Sequence, residues 1–331
     1  MLVSVIIPVY NGGKYIEEAL KSISGQTYED LEIIVVYDRS DDDTLDKIHS
    51  AMDIDDRIRL LEFDGLHSVA KSLNEGLKAA TGDYIVRMDA DDIAVDYRIE
   101  HQIAYMLSHP DVAICGSGFR YIVDDEIKTE EYYPLESTAD IRMGLMLRSQ
   151  FNHPTVMLNA KLIKEDLHYN EEYRAEDYDL WSRIAFKNEV VNLHEVLLNY
   201  RLLDNSATTR YADSMHQDKA RIQRSNYARL GIDIHIDEDM MLGASSVEEL
   251  EAWEACLAQA ADIIQPSYQC YRQLIYQLYN ATSQKLKVSF NNDVRFSKSF
   301  HKLIEDNNWQ HNITLRSYLR YLGKMIKYKV G

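Results

Sequence analysis

Apolar residues along the first half of the chain switch repeatedly between two periods. Val3–Val9, Leu31–Val36, Ile58–Phe63 and Tyr84–Met88 are short, nearly unbroken apolar runs, as expected of strands buried on both faces. The segments between them repeat at helical spacing. Lys14–Ser24 places Tyr15, Ile16, Ala19, Leu20 and Ile23 on one side, and a segment capped by Asp42 or Asp43 runs to Met52. Val69–Ala80 is predicted helical, with Gly82 just beyond it where a left-handed cap residue belongs, and Asp96–Ser108 is predicted to stop before Pro110. The resulting order, β-α-β-α-β-α-β, predicts an α/β protein with a parallel sheet and helices on both of its faces. Ligands of such sheets bind beyond the carboxyl ends of the strands. The polar clusters Asn11-Gly12-Gly13, Asp38–Asp43 and Asp89–Asp92 all follow strands.

From Val112 to Tyr133 the pattern is strand-like and aromatic. A helix is predicted over Thr138–Arg148, a strand over Phe151–Leu158, a helix over Asp177–Ala185 and a last strand over Val196–Arg201. These place a catalytic-sized unit over 1–230. The remainder, 231–331, reads as a mainly helical appendage. Ser246-Val247-Glu248-Glu249 is a capping box opening a helix to about Ile264, and helical character resumes over Tyr268–Thr282 after Pro266.

The chain has 331 residues, long enough for two domains or one large one with an appendage, and 46% of them are hydrophobic, enough for a sizeable core. Its net charge of −18 argues against a general nucleic-acid binder. An anionic ligand would need a metal ion, a helix N-terminus or a few placed cations. Three scattered cysteines, Cys115, Cys256 and Cys270, offer neither a disulfide framework nor a CxxC site, which fits a reducing compartment. The first residues lack a basic leader and no apolar run reaches the roughly 20 residues of a membrane span, so the expectation is a cytoplasmic protein. The segment 316–331 carries five basic residues and no acid, with Tyr318, Leu319, Leu322 and Ile326 between the charges. It suits either a peripheral contact with an anionic leaflet at the inner face of the membrane or docking on the acidic body or a second subunit. The C-terminal helices offer a surface for a homo-oligomer.

Asp89-Ala90-Asp91-Asp92 is the sharpest local signal. On strand spacing Asp89 and Asp91 share a face, and hard carboxylates at the mouth of a parallel sheet suit Mg²⁺ or Mn²⁺. The plain alternative is that Asp91 or Asp92 caps the next helix. Asp38 could accept a hydrogen bond from a nucleobase, or belong to a solvated turn. Lys71 and Asn74, one helical turn apart, could face a phosphate or sugar; without further context Lys71 reads first as an ordinary surface lysine. Glu176 and Asp177 open a helix, where one could serve as general base or both could simply complement the helix dipole. His153 reads as a structural histidine.

In order along the chain, these pieces resemble glycosyltransferase family 2, the inverting transferases with a GT-A fold. Ser4–Asn11 is similar to the family's first strand and nucleotide loop. Glu32–Val36 with Asp38, Ser40, Asp42 and Thr44 is similar to its second-strand motif, and Ala70, Asn74, Gly76, Gly82, Asp83 and Tyr84 follow its next pattern. Arg87–Asp92 resembles the DxD stretch, and His153-Pro154-Thr155 and Glu176–Trp181 resemble later blocks. The resemblance covers Ser4 to about Arg201. It implies a Rossmann-like, mixed but mostly parallel sheet flanked by helices, with nucleotide-sugar binding roughly over 1–110 and the acceptor side roughly over 111–230.

The resemblance also implies roles. Pro8, Tyr10 and Asp38 would line the nucleoside pocket, and Lys71 stands where many members have Arg or Leu. Asp89 would touch the ribose or the metal, Asp91 would be the principal ligand of Mn²⁺ or Mg²⁺, Asp177 the catalytic base and Glu176 its neighbour. Tyr37 and Arg39 stand where the family usually has an aspartate and a glycine, and the QxxRW signature of processive members is absent. The implied reaction is one inverting sugar transfer per encounter, from a nucleotide diphosphate, by expectation UDP, to a hydroxyl of a saccharide or lipid-linked saccharide in surface polysaccharide assembly. The competing readings are a non-catalytic sugar-nucleotide or glycan-binding module on the same scaffold and a sugar nucleotidyltransferase, the latter lacking its Gly-rich opening here.

Overall fold

The structure, a computed structural model, describes residues 1–66, 68–203 and 212–285. The first half runs β1 (Val3–Val9), α1 (Ile16–Ser24), β2 (Leu31–Asp38), α2 (Thr44–Met52), β3 (Ile58–Phe63), α3 (Val69–Ala79), β4 (Tyr84–Arg87), β5 (Ile93–Ala94) and α4 (Arg98–Ser108). The second continues β6 (Val112–Val123), β7 (Glu126–Tyr132), α5 (Thr138–Gly144), β8 (Met157–Asn159), α6 (Glu176–Ala185), β9 (Glu189–Arg201), α7 (Ala212–Arg229), α8 (Val247–Ile264) and α9 (Tyr268–Lys285). Among the described residues the nine strands form one sheet, ordered β3-β2-β1-β4-β8-β6-β9-β5, with β7 paired to β6. Strands β1 to β4 are mutually parallel where they pair, and β8 enters antiparallel between β4 and β6.

The apolar runs bury both faces because successive side chains point to opposite sides. Val5, Ile7, Ile33 and Val35 meet α1 and α4 on one face through Ile16, Leu20 and Ile99. Ile6, Ile34 and Ile85 meet α3 and α6 on the other through Leu73, Leu180 and Trp181. A third core joins Trp253, Leu257, Leu274 and Leu278 of α8 and α9 to Met143 and Leu147 and to Tyr227 of α7. The helical region is thus seated on α5 and α7. No helix among the described residues is long and apolar enough to cross a membrane. Residues 316–331 lie outside the described residues.

Several local expectations are corrected. Gly82 is not among the glycines with positive φ; α3 closes on Ala80 in an extended conformation. Gly82 is required instead for space, since a Cβ there would lie 2.7 Å from the Ser4 backbone nitrogen. The helix expected to reach Arg148 ends at Gly144, where the chain folds back and a Cβ would strike the Gln150 side chain at 2.3 Å. The strand expected from Phe151 begins only at Met157, because His153–Thr155 form a 3₁₀ turn around Pro154, which has no N–H to give a ladder. The last strand starts at Glu189, seven residues before the expected Val196. Register shifts against β6 around Gly118 break the alternation by which the sequence would have shown it.

Candidate active site

The acidic residues 89–92 do not continue β4. That strand ends at Arg87, and the chain turns through Ala90 and Asp91 into the short β5. Strand alternation therefore does not explain their convergence; the turn does. One oxygen from each of Asp89, Asp91 and Asp92 lies within 4.8 Å of the others. The next helix starts at Arg98 with Tyr97 as its cap, so neither Asp91 nor Asp92 caps it.

Two buried arginines hold this turn. Arg87, the last residue of β4, forks Asp89, with Nη1 2.7 Å from Oδ2 and Nη2 2.6 Å from Oδ1. Arg201, the last residue of β9, donates its backbone N–H to Asp92 Oδ1 at 2.8 Å and its Nε–H to the Asp91 carbonyl at 2.8 Å. Asp92 is fully buried, and its Oδ2 has no hydrogen-bond partner. Burial, then the charge of Asp89, pushes Asp91 up to about 7 and Asp92 well above the carboxylate range. Beneath the turn, burial draws the guanidinium of Arg98 down to about 9. A set of hard oxygen donors converging on one turn, one of them buried and unpartnered, fits a divalent cation such as Mg²⁺ or Mn²⁺.

Glu176 and Asp177 occupy the first turn of α6. Glu176 is pushed up to about 8 by burial and by Asp177, against the pull of Arg87. Asp177 is also raised by burial, but the Tyr178 N–H, Arg87 and Lys219 on α7 oppose the rise. Arg87 therefore lies within the field of both acidic groups, which puts the turn after β4 and the start of α6 near one another. Tyr169 and His153 stand behind it. The His153 Nε2 lies 3.0 Å from the Tyr169 hydroxyl, and burial, then Arg87, holds the imidazole well below its ordinary pKa. His153 is thus a packed, neutral histidine beside Trp181.

The remaining expected site residues fall around the ends of β1 and β2. Tyr10 is exposed and Pro8 is half-buried in β1. Asn11 adopts φ of 50° and clasps the β2 loop: its N–H donates to Ser40 Oγ and its Oδ1 accepts from Asp41 N–H, both at 2.9 Å. Asp38 is buried, and its Oδ1 accepts three backbone N–H groups, from Arg39, Gly65 and Leu66. It orders the loop that would flank a nucleoside. Lys71 is exposed on α3. Asn74 does not face a phosphate or sugar: its amide donates to the Tyr169 carbonyl at 2.9 Å and accepts from the Tyr169 N–H at 2.8 Å, tying down the loop before α6. Arg87, Arg201, Tyr169 and Lys219 went unassigned in the sequence. The signal for the first two was available, since an arginine closing an apolar strand must find a charge partner to be buried.

Residues 4–166 match the family model for glycosyl transferase family 2. An uncharacterized glycosyltransferase of Haemophilus influenzae is 31% identical over 293 residues, covering 84% of this chain and 85% of its own length. The O-antigen biosynthesis glycosyltransferase WbnJ of Escherichia coli is 32% identical over 210 residues, 62% of this chain and 81% of its own. Among solved structures, Staphylococcus aureus TarS 1–349 in complex with UDP-GlcNAc superposes with a TM-score of 0.56 at 18% identity, over 87% of this chain and 81% of TarS. The Pyrobaculum calidifontis mannosyltransferase PcManGT, in complex with GDP-Man and Mn²⁺, gives 0.52 at 17% over 87% of each chain. At that identity the structural likeness shows the fold, which is the expected GT-A arrangement. The matched stretch holds the acidic turn, and the Haemophilus relative extends the match over most of the chain, so the protein is an enzyme of sugar transfer rather than a binding module: it belongs to glycosyl transferase family 2.

Proposed function

We propose that this protein moves a sugar, with inversion, from a nucleotide diphosphate donor, by preference UDP-linked, to a hydroxyl of a saccharide acceptor in surface polysaccharide assembly. The observation that carries the reading is the grouping of carboxylates about one arginine: three on one turn and two at a helix start, all within the field of Arg87. Pro8, Tyr10 and the loop ordered by Asp38 flank the nucleoside, and Lys71 lies toward the phosphates. Asp91 and Asp92, with Asp89 held on Arg87, would hold the divalent cation. When bound, that ion supplies positive charge for the diphosphate and for the negative charge of its departure.

Asp177 takes the proton from the acceptor hydroxyl as its oxygen attacks the anomeric carbon from the face opposite the diphosphate. The sugar passes through an oxocarbenium-like transition state. One base suffices, and no covalent sugar intermediate forms. The two carboxyls of α6 divide the work because their surroundings differ. Glu176, pushed to about 8, carries a proton at neutral pH and donates a hydrogen bond to the acceptor. Asp177, whose rise by burial is opposed by the Tyr178 N–H, Arg87 and Lys219, is the proton acceptor of this proposal.

The O-antigen relative supports a saccharide acceptor, and lipid-linked delivery is part of the proposal: liposome flotation of the whole chain against a truncation before Arg316 tests it. The donor is tested by thermal shift with a panel of nucleotide sugars, each with Mn²⁺ and with chelator. A ligand selective for the folded protein raises the melting temperature. UDP-sugars are expected to raise it only with metal. A panel with no metal-dependent shift rejects the donor class.

A further inference from the structure

We propose that Arg201 is the positioning residue of the acidic turn: it fixes the Asp91–Asp92 backbone so that their carboxylates converge on a divalent cation. The inference rests on the metal reading above and names a residue for which the sequence motifs gave no role. Arg201 is 6% exposed and closes β9, more than a hundred residues after the turn it holds. Its Nε–H bonds the Asp91 carbonyl, and its own N–H bonds Asp92. The far end of the guanidinium is anchored in three ways. Nη1 meets Asp125 at 2.6 Å, Nη2 meets Glu18 at 2.7 Å, and the group lies 4.3 Å from the ring centroid of Tyr15. A planar fork suits this task, since one flat group bonds a carbonyl on one edge and two carboxylates on the others.

The anchor on the hairpin has a visible conformational cost. The two-residue turn between β6 and β7 is Asp124-Asp125, with φ of 54° and 59°. Turns of that kind prefer glycine or asparagine. Arg201 is held by Asp125, which also reaches Lys14, and not by Asp124. Glycine at either position removes one negative charge and eases the same backbone. Only glycine at 125 removes the anchor.

The test is Mn²⁺ binding to the full chain, followed by the electron paramagnetic resonance of free Mn²⁺, with circular dichroism and thermal melting as checks of folding. Arg201→Ala keeps the backbone N–H to Asp92 and loses the bond to Asp91. It is expected to weaken Mn²⁺ binding about 10–100-fold, the usual loss for an outer-shell partner of a metal site. Arg201→Lys is expected to fall between, because an ammonium cannot span all three partners. Asp125→Gly is expected to melt no lower than wild type, yet bind Mn²⁺ about two- to fivefold more weakly. Asp124→Gly is expected to bind as wild type. A folded Arg201→Ala with wild-type Mn²⁺ affinity overturns the proposal. So does an Asp125→Gly indistinguishable from Asp124→Gly, which decides the matter if Arg201→Ala does not fold. Wild-type protein that takes up no Mn²⁺ instead removes the metal reading itself, and the role of Arg201 with it.

Discussion

The turn after β4 and the first turn of α6 each gather buried or half-buried carboxylates, yet their surroundings differ. In the acidic turn the compensating charges are in contact: Arg87 forks Asp89 and Arg201 bonds the Asp91 carbonyl. The carboxylates are thereby held together, and the raised values of Asp91 and Asp92 mark a place where more positive charge is wanted. At the start of α6, Arg87 and Lys219 oppose the rise of Asp177, while burial and then Asp177 push Glu176 up to about 8. The same residue type serves two ends. On the turn, carboxylates converge in contact with arginines; on α6, two neighbouring carboxyls sit in unequal surroundings.

The sharpest way to break this comparison is to neutralise one acid in each group. Asp177→Asn is expected to lower transfer by about 10²–10⁴-fold, the range of a lost general base, with Mn²⁺-dependent donor binding unchanged. Asp91→Asn should lose the metal dependence of donor binding instead. Equal loss of donor binding in both variants would mean that the two clusters are one functional group.

Next in size is removal of the cation they share. Arg87→Ala leaves Asp89 without its fork. Breaking a buried pair costs 3–5 kcal/mol, and because Asp89 is 30% exposed the expected loss of folding stability is at the lower end, about 3 kcal/mol. Urea unfolding measures it, and a loss under about 1 kcal/mol would place the fork among surface ion pairs.

The smallest expected effect is a pH dependence with a definite sign. Asp91 and Glu176 have ordinary values of 3.8 and 4.5 and are raised in the fold to about 7 and about 8. The native state therefore binds more protons than the unfolded chain. The stability they add is complete below their ordinary values and is lost as pH climbs through 7 and 8. In chelator, the melting temperature should fall between about pH 5 and about pH 8.5, and Glu176→Gln should flatten the upper part of that fall. Parallel curves for wild type and Glu176→Gln would show that Glu176 titrates normally.

The first four strands and their helices were legible because each is encoded locally, by an apolar run or by helical spacing between polar caps. The acidic turn was legible as a motif, but its geometry was not. Strand alternation put Asp89 and Asp91 on one face, whereas a turn beyond Arg87 brings them together. Asn74 stood in a family pattern, and only the packing of α3 against the loop before α6 showed that its amide is spent on Tyr169. The long β9 was half hidden because bulges against β6 erase the period on which a strand is recognised.

The sequence alone determined the alternating α/β layout, the burial of both sheet faces and the types of residue at the strand ends, since these follow from side-chain polarity repeated at short range. Tertiary structure alone decided that Arg87 lies within the field of both acidic groups, that Arg201 bonds the turn from the far end of the domain, and that burial raises both carboxyls of α6. Those outcomes depend on through-space electrostatics and desolvation between residues as much as 110 positions apart, and no local pattern in the chain records such distances.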